Sequence, residues 1–255
     1  MRERAITSTK GAGRQSGFTL VELAVVLGVL GLLAMTMTSG FDGVNQARER
    51  NAAKANAQQA YEAVRSFALR NKRLPCPDPS SNGDRGREPI GSCAGNIGWL
   101  PYESLGLDIP ARGQRLRFGV YRSGSVSLAA PLSGGNDTPD LEGAAGFMTA
   151  LAQAAGAVAT TDAPYFVNGH SGPATTCSAG GNTSLVNPAF VIVAPVTNLN
   201  GGSGALAGFE APNLSFAGAS RCFAAPDTGA GSGYDDVVVV ESLTSLLGWA
   251  MSTNR

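Results

Sequence analysis

One short segment near the amino terminus constrains this chain more than any other. Residues 17–22 read Gly-Phe-Thr-Leu-Val-Glu and stand directly before an apolar stretch that reaches Met37. An apolar run of this length is typical of a helix that crosses a membrane, yet it contains the carboxylate of Glu22. A charge at that depth costs roughly 2.5 kcal/mol or more on insertion scales, so a charged residue there usually has a function and a partner. We therefore expect Glu22 to have both.

The residues ahead of this segment are basic. Only Glu3 opposes four positive side chains, which are Arg2, Arg4, Lys10 and Arg14. Lys and Arg hold a flank on the cytoplasmic side of a membrane. The sequence therefore predicts a cytoplasmic leader over 1–17, a membrane-spanning helix over 18–38 and an exported C-terminal part. Two alternatives are an ordinary secretory signal, which would leave the acid unexplained, and an anchor that is never cut.

The junction resembles the processing site of type IV prepilins and of the pseudopilins of type II secretion. In those families a prepilin peptidase cuts after the glycine and methylates the new terminus, usually on phenylalanine, and a glutamate five residues into the mature chain guides assembly. The resemblance implies cleavage between Gly17 and Phe18, N-methylation of Phe18 and an assembly role for Glu22. The fresh amine of Phe18 would be the counter-ion for Glu22 of a neighbouring subunit, because buried charges are normally paired.

Proline is absent from Phe18 to Asn71, which predicts one long helix. Its continuation over 39–71 is amphipathic, with apolar residues at helical spacing at Val44, Ala47, Ala55, Tyr61, Val64 and Phe67–Ala68. At a rise of 1.5 Å per residue, the helix would be roughly 80 Å long. Pro75, Pro77 and Pro79 end the pattern. We expect the first part to lie in a bilayer or filament core and the second part to be covered by a globular domain over 72–255.

Four cysteines follow the predicted helix: Cys76, Cys93, Cys177 and Cys222. An even count in an exported domain favours disulfides. We prefer Cys76 with Cys93 and Cys177 with Cys222, because nearest neighbours close compact loops, although the other two pairings stay open. A four-thiolate zinc site is the competing interpretation, but no pair has the close Cys-x-x-Cys spacing.

The rest of the chain predicts an α+β fold, with the long helix packed on an antiparallel sheet in a loop-rich domain. The predicted strands are Leu116–Arg122, Ser125–Ala129, Phe190–Ala194 and Val237–Val240, and the predicted short helices are Leu141–Ala157 and Ser242–Met251. A turn at Ser123–Gly124 would pair the first two strands. The four consecutive valines favour a central position in the sheet for the last strand.

Chemistry beyond assembly is sparse. His170 is the only histidine and lies in a Gly-rich loop, with no Gly-x-Ser-x-Gly nucleophile motif in a strand-turn-helix context. Asp235 and Asp236 are calcium candidates, but calcium takes six to eight oxygen ligands, so a polar strand start is the favoured interpretation. The formal net charge of zero does not indicate a nucleic-acid binder. We expect no enzyme activity, no cofactor and no metal.

We therefore interpret the chain as a minor pilin or pseudopilin. The expected partners are prepilin peptidase, other pilin or pseudopilin subunits and the bacterial inner membrane, with the C-terminal domain in the periplasm. Assembly would then place the subunit in a surface type IV pilus or in the periplasmic pseudopilus of type II secretion. A membrane-tethered binding module or adhesin with the same leader is the alternative.

Overall fold

A computed structural model describes residues 19–124, 126–129, 146–169, 177, 183–199, 203–217, 220–231 and 233–253. For residues 34, 36–42, 205 and 217 the description covers the backbone only. The chain divides into two compact units, Met1–Asn45 and Gln46–Arg255. Each unit is described separately below.

Helix α1 (Leu20–Asn71) is 52 residues long and confirms the long helix predicted from the missing prolines. It ends where Lys72 adopts a left-handed conformation, with φ of 56°. The amide of Lys72 still donates to the carbonyl of Ala68 at 3.0 Å. The three prolines that follow cannot continue a helix, because they lack an amide donor and clash with the preceding turn.

The first unit contributes the N-terminal part of α1, and its described side chains are exposed on every face of the helix. The sequence predicted that this part spans a membrane. Within the described residues, no helix combines the length and the apolar character that a membrane crossing needs. The structure therefore does not support that part of the prediction.

The second unit contains eight strands and two further helices among its described residues. In chain order they are β1 (Ile97–Trp99), β2 (Arg117–Val120), β3 (Arg122–Ser123), β4 (Val126–Ser127), α2 (Phe147–Gly156), β5 (Phe166–Asn168), β6 (Ser184–Val186), β7 (Pro188–Ala194), β8 (Val237–Ser242) and α3 (Leu243–Thr253). Four strands form an antiparallel sheet in the order β1-β2-β7-β8. The pairs β3–β4 and β5–β6 are separate hairpins. The predicted α+β fold with an antiparallel sheet is confirmed.

The two faces of the sheet have different covers. On one face, Phe118, Phe190 and Ile192 belong to a core that includes the second half of α1, and the Tyr61 and Phe190 rings lie 5.5 Å apart. On the opposite face, Val191 and Val193 pack with aromatic residues of the loop after β7, which are Phe209, Phe216 and Phe223. The segment between β7 and β8 thus supplies the aromatic side chains that pack on this face of the sheet.

The buried stripe of α1 was only partly predicted. Val64 and Phe67–Ala68 are buried as expected, but Val44, Ala47 and Ala55 are exposed. Three alanines that were not predicted complete the stripe, at Ala53, Ala57 and Ala60. This part of the helix has alanine on several faces. Alanine has the highest helix propensity and is also often buried, so it occurs on either side of a helix. Residue type therefore could not identify the buried face.

Of two predictions about the β-strands, one is confirmed and one is wrong. The hairpin through Ser123–Gly124 is confirmed, since Arg122 pairs with Ser127 and Ser123 with Val126. The central position predicted for the valine strand is wrong, because β8 is an edge of the sheet and pairs with β7. Val238–Val240 are only half-buried there. A run of β-branched residues indicates a strand, but it does not define the strand's neighbours.

The remaining helix predictions agree in position. Helix α2 begins at Phe147, and the predicted residues 141–145 lie outside the described residues. Helix α3 runs two residues beyond the predicted end at Met251.

Two disulfides join Cys76 to Cys93 and Cys177 to Cys222, the pairing preferred from the sequence. The first closes a loop that a buried ion pair also holds. Arg73 donates to Glu88 at 2.6 and 3.1 Å, and Glu88 also accepts the amide of Cys76 at 2.7 Å. This loop is therefore fixed both covalently and by charge-assisted hydrogen bonds.

Candidate functional sites

Glu22 forms part of a capping box at the start of α1. Its amide donates to Oγ1 of Thr19 at 3.3 Å, and its Oε2 accepts the backbone amide and the hydroxyl of Thr19 at 2.9 and 3.0 Å. Such reciprocal bonds satisfy donors that a helix start leaves without partners. The sequence signature of this capping box is Thr-x-x-Glu ahead of an apolar run.

The carboxylate of Glu22 is exposed in the single chain and accessible to a cation from outside the chain. It lies near the start of α1, where the partial positive charge of the helix end also favours an acid. The predicted cleavage residues Gly17 and Phe18 lie outside the described residues, so their roles stay predictions.

Apolar side chains surround this site. Among the large ones, Leu20 is 85% exposed, Val21 73% and Leu27 60%, and the set also includes Leu23, Val25, Val26, Val29, Leu30, Leu32, Leu33 and Met35. Soluble monomers rarely expose a continuous apolar surface of this extent, and such surfaces mark contacts with proteins or membranes. This arrangement suits a helix whose apolar side chains are buried by contact with other molecules.

A second candidate site lies in the C-terminal unit, where three carboxylates meet. Asp235 and Asp236 directly precede β8, and Glu210 comes from the loop after β7. One oxygen of each lies within 4.8 Å of the others, and all three residues are buried. The sequence predicted Asp235 and Asp236 as calcium candidates and missed Glu210, which is 25 residues away along the chain and has no local motif.

Hydrogen bonds fix these carboxylates from three directions. Asp235 accepts the amide of Thr197 at 3.2 and 3.3 Å. Asp236 accepts the amide of Glu210 at 3.1 Å and the side-chain amide of Asn213 at 2.8 Å, both through Oδ2. Glu210 accepts the amide of Leu199 at 3.2 Å through Oε1. These hydrogen bonds therefore fix the positions of the three carboxylates.

Two oxygens of the cluster have no hydrogen-bond partner among the described residues. They are Oε2 of Glu210 and Oδ1 of Asp236, and both are buried. Burial, with the neighbouring carboxylates as a smaller cause, raises the pKa of Glu210 to about 7 and the pKa of Asp236 to about 8. The direction is that of acids crowded together away from water, where the charged form is disfavoured.

The acidic cluster is connected to the long helix through Thr197. The amide of Thr197 binds Asp235, and its hydroxyl donates to Oε2 of Glu49 on α1 at 3.3 Å. Asp236 and Tyr234 also line a cavity of about 620 Å³ together with Arg50 and Lys54 of α1. The cluster therefore lies next to the second half of the helix.

The only histidine of the sequence, His170, lies outside the described residues, so the expectation that it is not catalytic stays a prediction. Trp99 and Tyr102, which are aromatic residues near β1, are buried. Trp99 stacks on the guanidinium of Arg117 at 4.5 Å, and the hydroxyl of Tyr102 accepts the amide of Leu116 at 2.7 Å. These aromatic side chains serve the core of the domain.

Comparison with known proteins adds one finding at the first site. Residues 13–38 match the family described as the prokaryotic N-terminal methylation motif. The chain thus carries the prepilin-type leader of type IV pilins and pseudopilins, and the match includes Gly17, Phe18 and Glu22. This motif implies processing by prepilin peptidase and points to a structural subunit rather than an enzyme. No curated protein and no solved structure matches the chain significantly.

Proposed function

We propose that this protein is a minor pilin or pseudopilin that is cut and N-methylated by prepilin peptidase and then assembled through its apolar N-terminal helix. The observation that carries the proposal is the methylation motif over 13–38, which continues into the exposed apolar part of α1. The filament is a type IV pilus or the pseudopilus of type II secretion. In both, the subunit is a building block.

The exposed apolar surface supports assembly on energetic grounds. Removing apolar surface from water stabilises a complex by about 25 cal/mol per Å². A Leu or Val that is more than half exposed in the single chain can gain most of its burial energy only in contact with other molecules. Helices of neighbouring subunits, or lipid before assembly, supply that contact. We propose that the subunit waits in the inner membrane through residues 18–38, with the C-terminal domain in the periplasm.

Glu22 gives the assembly its register in this proposal. Its carboxylate, fixed by the capping box in the single chain, meets the methylated amine of Phe18 on the adjacent subunit. An opposite charge at close range compensates the cost of moving a carboxylate into an apolar core. A subunit packed out of register would leave both charges without a partner.

The capping role and the charge-pairing role of Glu22 can be separated by two substitutions. Gln also completes a capping box, so Glu22→Gln preserves the cap and removes the charge, whereas Thr19→Ala removes the cap and keeps the charge. We expect both variants to be processed. Only Glu22→Gln should be depleted from filaments, because the Phe18 amine then has no counter-ion.

The measurement is quantitative immunoblotting of sheared or crosslinked filaments against total mature subunit. Wild-type incorporation of Glu22→Gln would contradict the charge-pairing account. A membrane-tethered binding module, the alternative function, would keep its activity in Glu22→Gln cells and would not crosslink to other pilins through its helix. The two functions are therefore separated by the same strain.

A further inference from the structure

We propose that the free edge of β8 is a docking site for an extended, acidic segment of another protein, which adds to the sheet as a further strand. The proposal rests on the C-terminal unit alone and is independent of the proposed role in a filament. In the four-stranded sheet of the described residues, β8 pairs with β7 on one side and forms an edge on the other. Such an edge offers unpaired backbone groups to an incoming strand.

The register of the sheet shows which backbone groups of β8 point outward. Trp99 exchanges both of its backbone hydrogen bonds with Asp78, on the side of β1 away from β2. Backbone groups of successive residues point to alternate sides of a strand. Following this alternation through the registered pairs of β2 and β7, the backbone groups of Val239 point to β7, and those of Val238 and Val240 point away from the sheet.

These outward groups are open to a partner. Within the part of the chain that the structure describes, neither Val238 nor Val240 has a backbone hydrogen bond to a residue outside the sheet. Both side chains are only half-buried. An incoming strand could therefore bond to the amide and the carbonyl of each residue.

A cavity of about 620 Å³ beside this edge gives an incoming strand room. Its lining includes Val238 and Val239 of β8, the loop over 225–229, and Arg50 and Lys54 of α1. A volume of this size is in the range of ligand pockets in proteins. The edge can therefore be reached from the space next to α1.

Arg50 and Lys54 give this cavity a positive wall. They are four residues apart on α1, so their side chains lie on the same side of the helix. Nε of Arg50 is buried and has no hydrogen-bond partner among the described residues. The salt bridges of those residues include neither base. A carboxylate from outside the chain would be a partner for both.

Two acids also line the cavity but leave these bases available. Asp236 accepts hydrogen bonds from the amide of Glu210 and from the side chain of Asn213. Asp227 is exposed, so water and salt screen its charge. The positive charges of the α1 wall therefore favour an acidic ligand.

The alternation of side chains places the acid within the incoming strand. Val239 faces the same side of the sheet as its partner Ile192, which belongs to the core that includes α1. A residue directly opposite Val239 would therefore point toward the two bases. Its neighbours would point to the other face, where Val238 and Val240 pack with aromatic side chains. The expected ligand is an extended segment with an acid between two apolar residues.

A second copy of this chain does not fit that description through β8. This strand has four consecutive valines, and its one acid, Glu241, is buried and accepts a hydrogen bond from Tyr61. Pairing of two β8 edges would place valines rather than a free carboxylate against the bases. We therefore expect a different protein as the partner.

The first test uses the full chain in detergent and a fluorescent, end-blocked peptide, Ser-Thr-Val-Glu-Val-Thr-Ser. Fluorescence anisotropy should show saturable binding. Changing the peptide's Glu to Gln should weaken binding about tenfold, because a charge-assisted hydrogen bond is lost. N-methylation of the peptide's two valines should abolish binding, because their amides face the β8 edge. The absence of saturable binding, or equal binding of the N-methylated peptide, would overturn the proposal.

Hydrogen exchange of the wild-type chain locates the peptide without any substitution. NMR should show that the peptide slows amide exchange at Val238 and Val240, whose amides point outward. The amide of Val239 already bonds to β7 and should change little. Protection elsewhere in the chain, with none at Val238 and Val240, would contradict docking at this edge.

Substitutions in the chain separate the charge from the edge. Lys54→Gln should weaken peptide binding several-fold, whereas Arg48→Gln, at an exposed base two residues from Arg50 and outside the cavity lining, should not. Val238→Pro removes an outward amide and no bond to β7, so the sheet should persist while binding is lost. Val238→Thr keeps the amide and should bind. Unchanged binding by Lys54→Gln or by Val238→Pro would contradict the proposal.

Sedimentation of the chain without peptide tests the second copy as the occupant. We expect the wild type and Val238→Pro to have the same oligomeric state. A wild-type dimer that Val238→Pro dissociates would show that a second copy occupies the edge, and it would overturn the proposal.

Discussion

The two halves of helix α1 differ in where their apolar side chains can be buried. From Leu20 to Leu33 the large apolar side chains are exposed all round the helix, whereas from Ala53 to Ala68 a single stripe is buried against the domain. The second half finds its cover within the chain, in the sheet and in helices α2 and α3. The described side chains of the first half are exposed, and in the proposed function they pack against other molecules. One helix thus contains an exposed apolar segment and a segment that packs in the domain.

Two acidic residues, one at the start of α1 and one on β8, show the same contrast between exposure and burial. Within the part of the chain that the structure describes, the carboxylate of Glu22 at the exposed start accepts hydrogen bonds from Thr19, three residues earlier. Glu241 on β8 is fully buried, where the hydroxyl of Tyr61 donates to it and Arg65 lies 3.6 Å away. The first acid is available to an external cation, and the second has its partners in the domain. The predictions below test this contrast.

The largest expected effect concerns removal of the leader. We expect Gly17→Trp to abolish cleavage, because a bulky side chain next to the scissile bond cannot enter a site shaped for glycine. The retained leader would keep the first half of α1 out of filaments and leave the folding of the C-terminal domain unchanged. An immunoblot for the longer species measures it. The matched control is Gly11→Trp, which should be cut normally, and normal cleavage of Gly17→Trp would count against the peptidase assignment.

A pair of truncations compares the two halves directly. Phe67→Ala removes a side chain that is 4% exposed and should lower the free energy of unfolding of the domain by about 3–5 kcal/mol. Leu27→Ala removes one that is 60% exposed and should change it by less than about 0.5 kcal/mol. Urea unfolding followed by circular dichroism gives both values. Equal losses of unfolding free energy in the two variants would contradict the distinction between side chains that are buried within the domain and side chains that are exposed in the single chain.

Loss of the Cys76–Cys93 disulfide should lower the free energy of unfolding somewhat less than Phe67→Ala does. Replacing Cys76 and Cys93 together by Ser should lower the unfolding free energy by about 2–4 kcal/mol, because the unfolded chain gains freedom. Before reduction, the mature wild-type protein should show no thiol that reacts with a maleimide. Labelling of native protein at any of the four cysteines would contradict the disulfide assignment.

The smallest effect is expected at the buried acid of β8. Tyr61→Phe removes the hydroxyl that donates to Glu241 and should cost about 1–3 kcal/mol, since the carboxylate stays buried with one partner fewer. The control is Glu62→Gln, a change at the adjacent exposed position, which should be close to neutral. If Tyr61→Phe is as stable as the wild type, the contrast between Glu22 and Glu241 would lose its energetic basis.

The sequence predicted those features that depend on local pattern. The uninterrupted helix, the hairpin through Ser123–Gly124 and the strand of β7 follow from missing prolines, turn residues and an apolar run. The features that it missed depend on distant contacts. Glu210 joins Asp235 only because the loop after β7 folds back, and the edge position of β8 depends on which strands pair with which. Neither the contact of Glu210 with Asp235 nor the edge position of β8 has a signature in the local sequence.

Two misses have other causes. The capping box of Thr19 and Glu22 has a local sequence signature, but the same glutamate also fits an assembly role as a charge in an apolar run, and only that role was predicted. The buried stripe through Ala57 and Ala60 was missed because alanine is compatible with both burial and exposure. In this chain, strong local signals predicted the elements correctly, and weak contrast between side chains left the buried face of α1 only partly predicted.

The most direct test of the account is mass spectrometry of the amino terminus of the mature protein isolated from its natural source. The account predicts a chain that begins at Phe18 and carries one methyl group on the terminal amine. A chain that begins at Met1, or at a residue beyond the apolar stretch that ends near Met37, would contradict it.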